Sequence, residues 1–289
     1  MKRKAVGMWG SLVLVALGLL ALPVSNAGAE MVLEKISRTR TLTAGTRTAS
    51  IPFAYINKKK EWVGFSVDLI KEIHQRLERE LAEKITLELK EVTPETRIFQ
   101  VANRTIDIEC GSTTYTQTRD RIVDFSISFF FTGSRLVVKK RSFITGLRDL
   151  AGKRVGVTRG TTNEQIVRKK QSQAKLVLFE NHREGFRALQ QDKIDAYSTD
   201  GILLAGLVAK APNPEEYELV DFFSGEPYAC IVPENDSNWR DFVNHTIMGM
   251  IESGKYAEIY DKWFGEQGVV IYPMPTWLKV YIGLQAMPR

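Results

Sequence analysis

Cysteine and histidine are scarce in this 289-residue chain, with two cysteines, Cys110 and Cys230, and three histidines. That scarcity leaves no metal-ligand spacing and no tetrahedral Cys/His site, which needs four ligands at short intervals. Long apolar runs are absent after the first thirty residues, so no later segment is expected to cross a bilayer. There is no glycine-rich phosphate loop, no nucleophile–base pair, no short-period repeat and no low-complexity tract. Basic residues are scattered, not striped, which excludes a nucleic-acid surface. What remains is an ordinary globular composition, 44% hydrophobic and 26% charged.

The amino terminus has a pattern of its own. Lys2, Arg3 and Lys4 precede an apolar run over residues 5–24, and Ala27-Gly28-Ala29 supplies a small-residue cleavage site before Glu30. Ser25-Asn26-Ala27 is a second cleavage candidate. Residues 1–29 are therefore expected to be a secretory signal peptide. A membrane anchor is the alternative, since the run is nearly long enough to span, but the cluster of small residues favours cleavage. No cysteine follows the run, so no lipid-modified end is expected. Removing Lys2, Arg3 and Lys4 leaves 37 basic against 34 acidic side chains, a net charge of about +3. In an exported protein an even cysteine count raises the prospect of a disulfide. Two buried thiols are the competing possibility.

Strand and helix signals alternate along the rest. Residues 41–46 read as a strand; Val67, Ile70, Ile73, Leu77 and Leu81 recur at helical spacing behind Ser66, a candidate N-cap. Residues 85–89 and 106–110 read as strands around a short helix at 97–103. A second unit begins near Leu136, with strands at 153–157, 175–179 and 194–199 and helices at 164–170, 183–190 and 202–208. A strand at 228–232 and a helical region at 239–264 complete the chain. Such alternation indicates parallel sheets covered by helices. Two α/β units joined by extended crossings near 134–139 and 225–228 predict two lobes with a cleft. In open α/β sheets ligands collect at the carboxyl ends of strands. Polar clusters fall at three such ends: 112–116, 158–163 and Asp200.

Within these clusters, Gly111 runs into Ser112, Thr113, Thr114 and Thr116, with Arg119 three residues on. Hydroxyls and a guanidinium suit a small carboxylate. A polar strand exit with a solvated arginine is the bland alternative. Thr161, Thr162 and Asn163 open a helix after Gly160, where free N–H groups favour an anion, although ordinary capping explains the same residues. Asp200 is either an ammonium acceptor or the N-cap of the following helix. By themselves Arg47, Arg97 and His182 read as surface residues.

Together these stretches resemble a family. Gly64-Phe65-Ser66-Val67-Asp68, the Ser112/Thr114/Arg119 cluster with Asp124-Phe125-Ser126, the run Ser134-Arg135-Leu136-Val137-Val138, Gly160-Thr161-Thr162 and residues 256–264 resemble the polar amino-acid-binding proteins of bacterial ABC importers. Residues 107–114 and Leu203-Leu204-Ala205-Gly206 are most similar to the periplasmic glutamate/aspartate-binding subgroup. The likeness spans residues 33 to 264. It implies an α/β, two-lobed type II periplasmic-binding-protein fold, with two open parallel or mixed sheets joined by a two-strand hinge. Lobe 1 is expected over residues 30–135 plus 228–289, and lobe 2 over 136–227.

The resemblance further implies a ligand set: Thr114 and Arg119, helped by the backbone at Thr161, for an α-carboxylate; Asp200 for the α-ammonium; and Arg47, Arg97, Ser112 and His182 for an acidic side chain. One departure is Pro94, where the subgroup tends to carry a serine. Counting Arg47, Arg97, Arg119 and a protonated His182 against Asp200 gives +4 against −1, which favours L-glutamate or L-aspartate. Affinity is then expected to weaken above the pKa of His182. In this topology residues 228–232 lie antiparallel beside 106–110, which brings Cys110 and Cys230 toward bridging distance.

The expectation is a non-enzymatic, monomeric periplasmic protein that hands an amino acid to an inner-membrane ABC permease, without cofactor, metal or nucleic acid. A cyclohexadienyl-dehydratase-like enzyme on the same fold, a binder of another polar amino acid such as glutamine, and a ligand-sensing domain are the alternatives.

Overall fold

The structure, a computed structural model, describes residues 30–286. The expected leader at residues 1–29 lies outside the described residues, and among those described no helix is long and apolar enough to cross a membrane. In chain order come α1 (Val32–Thr39), β1 (Thr41–Thr46), β2 (Ala49–Ser50), β3 (Ala54–Ile56), β4 (Trp62–Val63), α2 (Phe65–Leu81), β5 (Thr86–Glu91), α3 (Arg97–Ala102), β6 (Ile108–Glu109) and the long β7 (Val123–Lys139). There follow β8 (Arg154–Thr158), α4 (Thr162–Lys170), β9 (Lys175–Phe179), α5 (His182–Gln190), β10 (Ala196–Asp200), α6 (Gly201–Ala209), the long β11 (Tyr217–Pro233), α7 (Ser237–Glu252), α8 (Lys255–Phe264) and α9 (Thr276–Gly283).

Among the described residues these strands form an eight-stranded sheet in the order β5-β1-β6-β11-β7-β10-β8-β9 and a three-stranded sheet β2-β3-β4. The sheets expected separately from sequence are continuous through β7 and β11, which are 17 residues each. β11 runs antiparallel to β6 with Ile231 opposite Glu109, and to β7 along its length. β7 in turn runs antiparallel to β10, and β10-β8-β9 are parallel, as are β5-β1-β6. The ladder slips between Val220 and Ser224, where the crossing strands bend.

The β5-β1-β6 end carries the larger core. α2 buries Leu69, Ile70, Ile73 and Leu77 at helical spacing against it. Gly64, not Ser66, is the N-cap: its φ is +141°, and a Cβ there would lie 2.0 Å from the Phe53 carbonyl oxygen. Ser66 sits inside the first turn and its Oγ donates to the Gly111 carbonyl at 3.2 Å. Phe53, Phe65, Phe130, Tyr228, Tyr260 and Phe264 stack edge and face, with centroids 4.9 Å apart for Phe53–Phe130 and 4.7 Å for Tyr260–Phe264. At the β10-β8-β9 end, Val155, Val157, Val167 and Leu136 pack one face and Phe186, Leu189, Ile194 and Tyr197 the other.

α6 is apolar along its length, and its buried residues divide between two cores: Leu204 and Leu207 pack with Phe186 and Tyr197, while Ile202 and Leu203 reach the Phe53 cluster. Cys110 and Cys230 are bridged, with Cα atoms 4.2 Å apart, which agrees with the antiparallel neighbourhood expected for them. The carboxyl-terminal segment, which no sequence pattern assigned, ends in α9. Leu278 and Ile282 are buried there, whereas Trp277 meets the Phe131 ring edge-on at 6.0 Å and stays half exposed.

Candidate functional site

β1 ends at Thr46, and the next residue, Arg47, turns inward at 3% exposure. Arg97 opens α3 and is 2% exposed, so neither arginine is the surface residue its local sequence suggests. Between them runs the exit of β6. Residues 113–115 lie along β11, with the Ala229 N–H donating to the Thr113 carbonyl at 3.1 Å and the Tyr115 N–H to the Pro227 carbonyl at 2.9 Å. That alignment points Ser112 and Thr114 to the cavity. From the other end of the sheet come the N-terminus of α4, the N-terminus of α5 and the end of β10. One cavity is lined by Arg47, Arg97, Ser112, Thr114, Thr161, Thr162, Asn163, His182, Thr199, Asp200 and Leu203.

Seven of the eight sequence-predicted site residues therefore share one cavity, and the eighth adjoins it. Arg119 donates to the Thr114 carbonyl at 2.8 Å and to the Gly160 carbonyl at 3.1 Å, joining the two halves of the wall. Gly160 suits this approach: its φ is +74°, and a Cβ would lie 2.7 Å from the Glu95 Cα across the gap. Arg159 spans the same gap, 3.7 Å from Glu95.

Thr161 does cap α4, accepting from the Glu164 N–H at 3.2 Å. Asp200 does not cap α6 with its side chain. Its carboxylate accepts from Asn163 Nδ2 at 2.7 Å and from the Tyr228 hydroxyl in a very short contact. Burial and the neighbouring Glu226 push the Asp200 carboxyl up to about 7. Burial, with Arg97 adding its repulsion, pulls both Arg47 and Arg119 down to about 9, still charged at neutral pH. Arg47 Nη1 and Arg97 Nε are buried with no protein partner. Unpaired buried cationic nitrogens are costly, and an anion is what satisfies them.

The protonated His182 expected from sequence is corrected here. Burial and the fields of Arg47 and Arg97 hold its imidazole well below the usual histidine value, so it is neutral at pH 7. Its Nδ1 lies 2.9 Å from the Tyr197 hydroxyl, which lies 2.7 Å from Thr158 Oγ1. The arrangement in which Thr158 donates to Tyr197 and Tyr197 to Nδ1 leaves the proton on Nε2. His182 can then donate to a carboxylate without being charged.

Two acids missing from the sequence expectation also change the charge count. Glu109, on β6, supports the charge of both Arg47 and Arg97. Glu226, 1% exposed on β11, accepts from Thr162 Oγ1 at 2.8 Å, Ser134 Oγ at 2.9 Å and Ser224 Oγ at 2.5 Å. Three arginines thus face three acids, so +4 against −1 becomes an overall balance, and the case for an anion rests on where the charges sit. The signal for Glu109 was an acid inside an apolar strand; for Glu226, an acid in the crossing. A larger hollow of about 570 Å³ lies along Phe131, Phe222 and Trp277, but it is apolar, and its Arg135 is already bonded to the Asp221 and Leu219 carbonyls at 2.8 and 3.1 Å.

Residues 42–266 match the family described as bacterial extracellular solute-binding proteins, family 3. The chain belongs to that family. This solute-binding protein is 36% identical to an L-glutamate/L-aspartate-binding protein of Pseudomonas aeruginosa, over 86% of its own length and 85% of the relative's. It is also 34% identical to the glutamine-binding protein GlnH of Bacillus subtilis, over 77% of this chain and 80% of that one. Among solved structures, a mutant of the arginine-binding protein of T. maritima superposes with a TM-score of 0.75 at 30% identity, covering 81% of this chain and 99% of that one. The fold is accordingly the α/β type II periplasmic-binding-protein fold, as expected.

Proposed function

We propose that this solute-binding protein captures an acidic amino acid, L-glutamate or L-aspartate, in the cavity between two lobes and delivers it to an inner-membrane ABC permease. The observation that carries the reading is the pair of buried arginines, Arg47 and Arg97, with guanidinium nitrogens lacking any protein partner. They line the same cavity as Thr114, Thr161 and Asp200, which with Arg119 make up the amino-acid grip. In that grip Arg119, with Thr114 and the backbone at Thr161, takes the α-carboxylate, and Asp200 takes the α-ammonium. Arg47, Arg97, Ser112 and the neutral donor His182 take the side-chain carboxylate. Residues 30–135 plus 228–289 form one lobe and residues 136–227 the other, closing about β7 and β11 by a hinge motion. Export to the periplasm, cleavage of residues 1–29 and action as a monomer belong to the same proposal.

A second reading, a neutral ligand such as glutamine, is favoured by the balanced overall charge and by the likeness to GlnH. A thermal-shift screen of the twenty amino acids and small dicarboxylates separates the two. Glutamate or aspartate is expected to stabilise the protein most; stabilisation by glutamine, arginine or histidine with none by the acids would sink the acidic reading. An enzymatic role needs a cavity acid free to move a proton. Asp200 is the acid with a suitable pKa, yet its oxygens are engaged by Asn163 and Tyr228, so the protein is read as a binder. Turnover of prephenate or arogenate by the purified protein would overturn that.

A further inference from the structure

The carboxylate of Glu109, the last residue of β6, is fully buried. One oxygen accepts from Thr113 Oγ1 at 2.5 Å; the other has no partner. That second oxygen overhangs Gly111, where a Cβ would lie 2.2 Å from it and 3.5 Å from Cγ of Arg47, so acid and arginine flank the same point of backbone. No ion pair within 4.0 Å ties Glu109 to Arg47 or Arg97 among the described residues, and it acts on them through its field. A buried acid without a direct pair, beside two buried arginines, has a cost of its own. Packing the exit of β6 does not require it, since the amide of glutamine fills the same space.

We propose that Glu109 is a specificity-positioning residue that sets the charge presented to the ligand side chain. The proposal rests on the acidic-ligand reading above. With Arg119 and Asp200 taken up by the ligand's α-carboxylate and α-ammonium, the charges left for its side chain are two guanidinium groups against one carboxylate, His182 being neutral, a balance of about +1. One ligand carboxylate brings that to zero, whereas an amide leaves a buried cation uncompensated. Replacing Glu109 by glutamine raises the local charge to +2. Glutamate is then held more tightly, glutamine is nearly unaffected, and the arginines repel each other more strongly in the empty protein.

Calorimetric titration of the full chain with glutamate and with glutamine tests this, in wild type, Glu109→Gln and the double variant Arg47→Met/Glu109→Gln. The preference for glutamate over glutamine is expected to rise about tenfold or more in Glu109→Gln, given charges several ångströms apart at an effective dielectric near 20. The empty variant should melt lower than wild type and recover with saturating glutamate. In the double variant the local charge returns to +1, and a preference for glutamate should persist at or below the wild-type ratio; this arm stays informative if the single variant does not fold. A Glu109→Gln protein whose affinities for both ligands fall by the same factor, or whose ratio is unchanged, overturns the role of Glu109 alone. Wild-type protein that binds neither glutamate nor aspartate overturns the acidic reading itself, and this inference with it.

Discussion

Each titratable residue of the cavity wall strains the empty protein in a different way, and each strain has a measurable sign. Arg47→Met removes a buried guanidinium with an unpartnered nitrogen and leaves Arg97 balanced by Glu109. The empty protein should become more stable in thermal unfolding, while glutamate affinity should fall about a hundredfold through loss of a charge-assisted contact. Loss of both stability and affinity would show that Arg47 holds the fold and not the ligand. Asp200 provides a pH test. Its folded pKa, about 7, stands above the ordinary carboxylate value. Between the unfolded and folded pKa values the folded state therefore holds the extra proton, and the empty protein loses stability as pH rises through that window. An ammonium ligand needs the ionised form. Affinity should therefore climb from pH 5.5 to about 7.5 and then level off, with protons released on binding; calorimetry in buffers of different ionisation enthalpy reads both. A fall in affinity over the same range would instead mean that His182 is protonated in the complex.

At the scale of the elements, what was visible in the sequence was the break in pattern. The clusters at 112–116, 158–163 and Asp200 interrupt apolar strands, and each proved to be a strand end facing the cavity. Glu109 and Glu226 were missed because one acid within a strand reads as its solvent face. Only the burial of Glu109, 0% exposed on a strand paired with β11, shows that this face is shut. Arg47 and Arg97 were placed through family likeness, since no local pattern separates a buried guanidinium from an exposed one. The β2-β3-β4 sheet and α9 went unread because two- and three-residue strands and a lone apolar tail have too little periodicity to register. Gly160 tests how tightly the elements meet. Gly160→Ala places a side chain at a φ of +74° and against the Glu95 backbone. It should cost about 1 kcal/mol in stability and weaken ligand binding further by displacing the carbonyl that Arg119 holds. Wild-type affinity in a stably folded variant would show that the two walls do not meet this closely in the complex.

For the molecule as a whole, the bridge between Cys110 and Cys230 joins positions 120 residues apart in sequence. Replacing both cysteines by serine should cost about 3–5 kcal/mol, because a closure of that length restricts the unfolded chain strongly. Denaturant unfolding with and without reductant measures it; identical midpoints would mean that the bridge is not formed in solution. The long strands β7 and β11 mark where the chain leaves the larger core and where it comes back, since Phe130 and Tyr228 pack in that core and Ser134 lies opposite Ser224. Seen from that core, the residues between Ser134 and Ser224 form an insert whose two ends run side by side. A relative's counterpart can replace such an insert provided its α6 keeps the apolar residues that stand at Ile202 and Leu203 and reach the receiving core. An exchange of that stretch would carry Thr161, His182 and Asp200 with it and leave Arg47, Arg97, Glu109, Ser112, Thr114 and Arg119 behind.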